Sequence, residues 1–190
     1  KALASTFNNY DTQLKNFKSG AIKQTEIKLT EVNLKLDQLA KVNSLISTSG
    51  TKDASNDVLD ARDQLLKELS KILNFTVNYD ETGAAEIRLG DSGNGVNILK
   101  RNMAATLTSA SDGNNISINV NKQGIKSTAA FSSGILSGIS QFYSLIGTVQ
   151  SEISKLAEQF ANEINSIQTS GIDLQGNVGK AMFSVNSMTP

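Results

Sequence analysis

The chain of 190 residues has no cysteine, no histidine, no tryptophan and a single proline. Without cysteine there is no disulfide, no thiolate nucleophile and no ordinary structural zinc site. Without histidine the usual general base and the commonest metal ligand are missing. Any active site would have to be built from carboxylates, lysine, serine or tyrosine. Aromatic residues make up 5% and the hydrophobic fraction is 38%, so bulky side chains are scarce for a thick core. Eighteen basic residues balance eighteen acidic ones. No basic stripe of the kind that neutralises nucleic-acid phosphates is visible. The most apolar stretch, Ile135 to Val149, is interrupted by Ser137, Ser140, Gln141 and Ser144 and falls short of a membrane span. Neither nucleic acid nor membrane is expected as a partner. No signal peptide is recognisable, and a start at Lys1 and an end at Pro190 read as a segment of a longer protein.

What the chain has in abundance is Ser, Thr, Asn and Gln, 66 residues in all, threaded between narrow apolar seams. Leu3, Phe7, Tyr10, Leu14, Phe17 and Ala21 step in alternating fours and threes, a heptad pattern. It weakens at Thr25 and resumes with Leu29, Val32, Leu36, Leu39, Val42 and Ile46, the extra step of four acting as a stutter. Gly20 is a candidate bend. A helix through residues 3–47 would be roughly 60–70 Å long. A polar loop, 47–55 with Gly50, leads to a shorter helix capped at Asn56, with Leu59, Leu66, Leu69 and Leu73 inward and Leu65 and Ile72 at the edge. After Leu73 the period drops to two. Phe75, Val77 and Tyr79, then Ile87 and Leu89, Val96 to Leu99, Leu107, Ile116 to Val120 and Ile125 to Phe131 are separated by Gly/Asn turns, which predicts an antiparallel meander of four to six strands. Helical period returns from Gly134 to Ser170, with Leu136, Ile139, Tyr143, Ile146, Gln150, Ile153, Ala157, Phe160, Ile164 and Ile167 in the seam and Gly171 as its stop. Met182, Phe183 and Val185 follow as a candidate strand. The expected class is α+β: an elongated antiparallel helical rod, two long helices and one shorter, with an inserted antiparallel β-meander. The expected division is 1–73 helical, 74–131 the β-insert, 132–171 the return helix, and 172–190 a tail leading into a further domain.

Candidate chemistry reads mostly as architecture. The Gly90–Gly95 run has the composition of a phosphate loop but precedes a strand rather than a helix; a hairpin turn is the better reading. Asp112–Asn115 and Asp173–Asn177 carry oxygen ligands without the alternating spacing of a calcium loop, so they too read as turns. Asp57, Asp60, Arg62 and Asp63 fit a helix start with solvated charges. No catalytic, cofactor or metal residue is assigned. The sequons at Asn74 and Asn115 carry no weight without a secretory signal. The small residues Ser133, Gly134, Ser137, Gly138, Ser140, Ser144 and Gly147 mark either an irregular helix entrance or a close approach of neighbouring backbone.

Two blocks in this order carry a resemblance. The run Ser55 to Leu66, containing Asn56, Asp57, Leu59, Asp60, Arg62, Asp63 and Leu66, resembles the N-D-L-L-D-Q-R-D-x-L-L signature of the hook-associated proteins of bacterial flagella, with Val58 and Ala61 departing from it. The second block comprises Gly134 and Gly138, then Leu156 to Asn165, then Gly171, Asp173, Leu174, Gly176 and Gly179, with Phe183 where the family often has a Phe pair. The resemblance implies a structural, non-enzymatic part of the flagellum, exported by the flagellar type III apparatus and sited outside the cell. Its post would be an axial adaptor at the hook–filament junction, touching the hook protein, hook-associated protein 3 and copies of itself. Another axial post, that of hook-associated protein 3 or of flagellin, is the alternative. A carboxylate-based cell-wall hydrolase is a remote one, and would need two acids converging in a groove.

Overall fold

In the computed structural model, residues 2–49, 54–129 and 133–184 are described. Gly50 of the expected loop, Phe131 at the end of the expected last strand and Val185 of the expected tail strand lie outside them. Three helices and seven strands follow one another: α1 (Ala2–Ser49), α2 (Asn56–Ile72), β1 (Phe75–Tyr79), β2 (Ala85–Leu89), β3 (Asn97–Lys100), β4 (Met103–Ala104), β5 (Thr106–Ser111), β6 (Ile116–Lys122), β7 (Ile125–Ala129) and α3 (Gly134–Ser170). This is the expected α+β arrangement of two long helices, one shorter helix and inserted antiparallel strands. The insert differs in one respect. It is not one meander of four to six strands but two sheets, β1-β2-β3-β4 and β5-β6-β7, each antiparallel throughout. Alternation in sequence marks strands without saying which neighbour each will pair with. The left-handed backbone at Arg101 (φ 53°) turns β3 into the two-residue β4, and the first sheet ends there.

Two compact units are present. The larger, residues 19–144, holds both sheets, α2 and most of α1. Its core joins Leu29, Val32, Leu36 and Leu39 of α1 to Leu66, Leu69 and Ile72 of α2 and to Ile87, Leu89, Ile98, Leu99, Leu107, Ile118 and Val120 of the sheets. Each strand contributes alternate residues because successive side chains point to opposite faces; β2 alternates buried with half-buried along its length, and β6 does so from Ile116 to Val120. Fully burying one such Leu or Ile is worth about 1.5–3 kcal/mol, so this shared core holds elements that could not persist singly.

Helix α1 runs unbroken through Gly20. Its buried line is Ala21, Thr25, Leu29, Val32, Leu36, Leu39, Asn43 and Ile46, which departs from the sequence reading at two places. Thr25 is not a gap, because its hydroxyl donates to the Ala21 carbonyl at 2.9 Å and is thereby satisfied inside. Asn43, not Val42, occupies the seam, and its exposure is 0%. The Asn43 amide donates to the Ala85 and Arg101 carbonyls, both at 2.8 Å, and its Oδ1 accepts the Ala85 N–H at 2.9 Å. Ten residues earlier Asn33 repeats the device on the second sheet, donating to the Leu107 carbonyl at 3.0 Å and accepting the Leu107 N–H at 2.9 Å.

Helix α2 is capped by Ser55 rather than Asn56. The Ser55 side chain makes no capping bond, and its carbonyl accepts from Val58 and Leu59 instead. Ile72 is buried along with Leu66, Leu69 and Leu73, while Leu59 is only half-buried. Lys35 of α1 lies 3.8 Å from Glu31 and makes its closer bond to Glu68 of α2. The two sheets meet in a polar joint: Lys122 of β6 donates to the Asn97 side chain on β3, which donates in turn to Glu86 at 2.6 Å. Burial pushes the Lys122 ammonium pKa down; Glu86 opposes that shift, while Lys100 and Arg88 add to it.

The smaller unit combines residues 1–18 with 145–190. Asp11 of α1 accepts from Gln150 of α3 at 2.7 Å and pairs with Lys15 at 2.7 Å, so the two amphipathic segments touch. Phe7 and Leu14 turn inward, as do Ile146, Ile153, Ala157 and Ala161. The alternate heptad residues Leu3, Tyr10 and Phe17 are about half exposed, at 43%, 50% and 53%. Ile167 of the expected α3 seam is likewise exposed. A two-helix pair can cover only one side of each seam, which accounts for both.

Replacing Asn43 with alanine would leave the buried N–H and carbonyl of Ala85 and the part-buried Arg101 carbonyl without this partner. The expected loss is about 3 kcal/mol of unfolding free energy, read as a lower urea midpoint with an unchanged slope.

Candidate functional site

The residues singled out from the sequence fall into two clusters, one in each unit, plus Gly134 and Gly138 at the start of α3. In the first cluster Asn56, Asp57 and Asp60 are exposed on the opening turns of α2, Leu59 is half-buried and Leu66 enters the core. Arg62 does the connecting. Its Nη1 donates to the Gly83 carbonyl at 3.0 Å, its Nε to Asp63 at 2.8 Å, and its guanidinium lies 4.6 Å from the Tyr79 ring centroid. A planar guanidinium can stack and hydrogen-bond at once. The turn it grips is preformed: the Asp80 carboxylate accepts the Thr82 hydroxyl at 2.6 Å and the Thr82 and Ala84 N–H groups at 2.9 and 3.1 Å. Those donors, the Thr82 hydroxyl foremost, hold the Asp80 pKa below the usual carboxylate range. Tyr79 and Gly83 lie in the run Val77 to Gly83, which continues the resemblance to the family beyond Leu66, and no role follows for either from the sequence alone.

Gly134 has φ +84°, and a Cβ there would lie 2.7 Å from the Ile72 carbonyl oxygen. The close-approach reading of the small residues holds at this position: the α3 entrance rests on the end of α2. Gly138 is exposed, and a Cβ there would meet no other part of the chain.

The second cluster closes the end of α3. Asn165 accepts the Met182 and Phe183 N–H groups at 2.8 and 2.9 Å and donates to the Phe183 carbonyl at 2.8 Å. The Phe183 ring meets Phe160 edge-on at 6.1 Å. Met182 and Phe183 are thus clamped to the helix rather than forming a strand. Between them and α3, Gly171 to Gly179 form a small loop closed by a bridge from Ile172 to Val178. Asp173 accepts from the Asn177 side chain at 2.9 Å and from the Asn177 and Gln175 N–H groups at 2.8 and 2.9 Å, which lowers its pKa. A Cβ at Gly179 would overlap the Gln168 carbonyl. Gly176 completes the turn by donating to the Asp173 carbonyl at 3.0 Å. Leu174 stands fully exposed at its tip.

The remaining candidates resolve in the same way. The Gly90–Gly95 run is a turn joining β2 to β3, closed by Leu89 N–H to the Val96 carbonyl at 3.0 Å. Asp112 accepts the Asn114 and Asn115 N–H groups at 2.9 and 2.7 Å. Carboxylates engaged by their own backbone in this way are turn formers. Among the described residues, no group of three or more Asp or Glu gathers in a way that could hold a metal ion, and no helix is long and apolar enough to cross a membrane.

Residues 1–183 match the family model described as the flagellar hook-associated protein FlgK helical domain. The chain belongs to this family. Among its relatives, flagellar hook-associated protein 1 of Salmonella typhimurium is 28% identical over 170 residues, covering 84% of this chain and 30% of that protein. The Bacillus subtilis protein of the same name is 23% identical over 211 residues, covering 96% and 41%. A solved structure described as the flagellar hook junction protein FlgK from Burkholderia pseudomallei superposes with a TM-score of 0.85 at 22% identity, over 97% of this chain and 34% of that one. The chain therefore spans about a third of the length of these relatives. In this FlgK helical domain the motif residues hold one element to another: Arg62 grips the β1–β2 turn, Gly134 seats α3 on α2, and Asn165 clamps the tail.

The carboxylates of Asp11, Asp80, Asp112 and Asp173 all have lowered pKa values. A folded pKa below the unfolded one contributes stability that is complete above the unfolded value of about 4 and is lost as pH falls through the folded value. The expected urea midpoint is therefore flat near neutrality and falls steadily below about pH 4. Asp80→Asn keeps an acceptor in the turn and should flatten that acid limb. Arg62→Lys, which keeps the charge but loses the stack and the fork, should cost about 1 kcal/mol.

Proposed function

We propose that this chain is the helical part of a flagellar axial adaptor at the junction of hook and filament, a structural component with no catalytic role. Membership of the FlgK helical-domain family over residues 1–183 carries the reading. Relatives across most of this chain bear the name flagellar hook-associated protein 1, and the superposing Burkholderia pseudomallei structure is described as a hook junction protein. The partners would be the hook protein, hook-associated protein 3 and further copies of the chain. The site would be the flagellum outside the cell, reached through the flagellar type III apparatus. The division into helical segments 1–73 and 132–171 around an insert at 74–131, with a tail from 172, belongs to the same proposal.

The surface fits assembly better than catalysis. The described side chains most engaged in polar contacts serve internal joints, while apolar ones stand outward along the helices. On α1, Leu3, Tyr10 and Phe17 recur every seven residues. On α3, Leu145, Val149 and Leu156 recur at steps of four and seven. Such stripes are half-seams of a helical bundle, and exposed apolar rows of this kind mark protein contacts. The motif residues would act by fixing internal geometry, leaving these rows to meet neighbours.

Deleting the gene should leave cells with hooks but without filaments, shedding flagellin monomers into the medium. Normal filaments in the deletion strain would overturn the proposal. Returning the gene with Leu156→Glu should restore a protein whose unfolding free energy is within about 0.5 kcal/mol of the original, yet restore few filaments. Electron microscopy and a urea titration read the two outcomes separately.

A further inference from the structure

The loop that closes β2 on β3 contains the dipeptide Asn94–Gly95. Two features of the fold make it unlike the other asparagines. The backbone leaves no room for a side chain at position 95, because a Cβ there would overlap the Leu89 carbonyl oxygen. Asn94, by contrast, is exposed, and its backbone N–H makes only a long bond, 3.4 Å, to Ser92. Among the described residues neither the Asn94 side-chain amide nor the Gly95 N–H is held by a partner. The carboxamide carbon and the next backbone nitrogen are thus free to meet, with no side chain on residue 95 to hinder them.

We infer that Asn94 is a site of spontaneous modification, an internal deamidation centre that converts this loop from asparagine to aspartate and isoaspartate. The Gly95 nitrogen attacks Cγ of Asn94 and forms a new C–N bond. The side-chain nitrogen leaves as ammonia, taking the proton lost by the Gly95 amide, and a five-membered succinimide remains. Water then opens either C–N bond of that ring. One direction gives aspartate; the other gives isoaspartate, with the main chain running through the former side-chain carbon. No oxidant or reductant takes part, and solvent water is the sole co-reactant. Either product adds a negative charge one loop away from the Glu86–Asn97–Lys122 joint, and isoaspartate lengthens the main chain between Leu89 and Val96, whose mutual hydrogen bond closes the hairpin.

Other asparagines serve as internal controls. Asn177 is followed by Val178 and its amide is held by Asp173; Asn114 is followed by Asn115, so the attacking nitrogen in both cases belongs to a residue with a side chain. The folded chain would be aged at mildly alkaline pH and mapped by peptide mass spectrometry, with isoaspartate counted by enzymatic methyl labelling. The mass change should accumulate at Asn94 about tenfold faster than at Asn114 or Asn177, where the Cβ of the following residue hinders attack. Asn94→Gln should abolish most of the isoaspartate label while leaving the unfolding midpoint unchanged. Equal rates at the three sites, or a label that survives Asn94→Gln, would overturn the assignment.

Discussion

One interaction recurs at three places where this fold joins a helix to something that is not a helix: an asparagine side chain paired reciprocally with a single backbone residue. Asn43 pairs with Ala85, Asn33 with Leu107 and Asn165 with Phe183, each giving its amide to the carbonyl and taking the N–H on its oxygen. The carboxamide presents donor and acceptor side by side, as a peptide group does, so it matches both polar groups of one backbone residue at once. Buried polar groups left unmatched are costly; matched in both directions, they fix position. An apolar contact can slide along a helix with little loss. A reciprocal pair cannot, and Asn33 and Asn43 thereby hold each sheet to a particular turn of α1.

Around those two pins the rest of the larger unit follows. With Ala85 fixed by Asn43, β2 turns Ile87 and Leu89 toward α1 and α2, and Glu86 and Arg88 to the other face. That other face supplies Glu86 and Asn97 for the bond to Lys122, which ties the second sheet to the first. Arg62 secures the far end of the β1–β2 hairpin through Gly83. Within the family motif, Arg62, Gly134 and Asn165 thus fasten one element to another.

The helices were legible because burial imposes a period, and the period is written in Leu, Ile and Val. The helical period from Gly134 to Ser170 coincides with α3, and Leu29, Val32, Leu36 and Leu39 lie inside as their spacing predicts. The reading failed where a polar residue was satisfied by something distant in sequence. Hydrophobicity alone favours Val42 over Asn43, although Asn43 stands four residues after Leu39 and three before Ile46. Nothing local announces that Ala85 and Arg101 supply its partners. The partition into two sheets was hidden for the same reason, since alternation specifies faces and not neighbours. The motif residues were found by resemblance; what Arg62, Gly134 and Asn165 do became visible only with Tyr79, Gly83, Ile72 and Phe183 beside them.

The smaller unit sets a different physical problem. Phe7 and Leu14 are sheltered while Leu3, Tyr10 and Phe17 remain near half exposed on the same helix. For a chain with so few bulky residues, leaving three of them in water is an inefficient way to stabilise a helix pair, since each forgoes part of the roughly 1.5–3 kcal/mol that full burial offers. The inefficiency makes sense if the seam is shared. A helix that presents one flank of its heptad to its own chain and the other to a neighbour gains its full burial only in an assembly. The larger unit, by contrast, is pinned by Asn33 and Asn43 and closes around its own core. The core of residues 19–144 closes on itself, whereas the row of Leu3, Tyr10 and Phe17 reaches full burial only against a further helix.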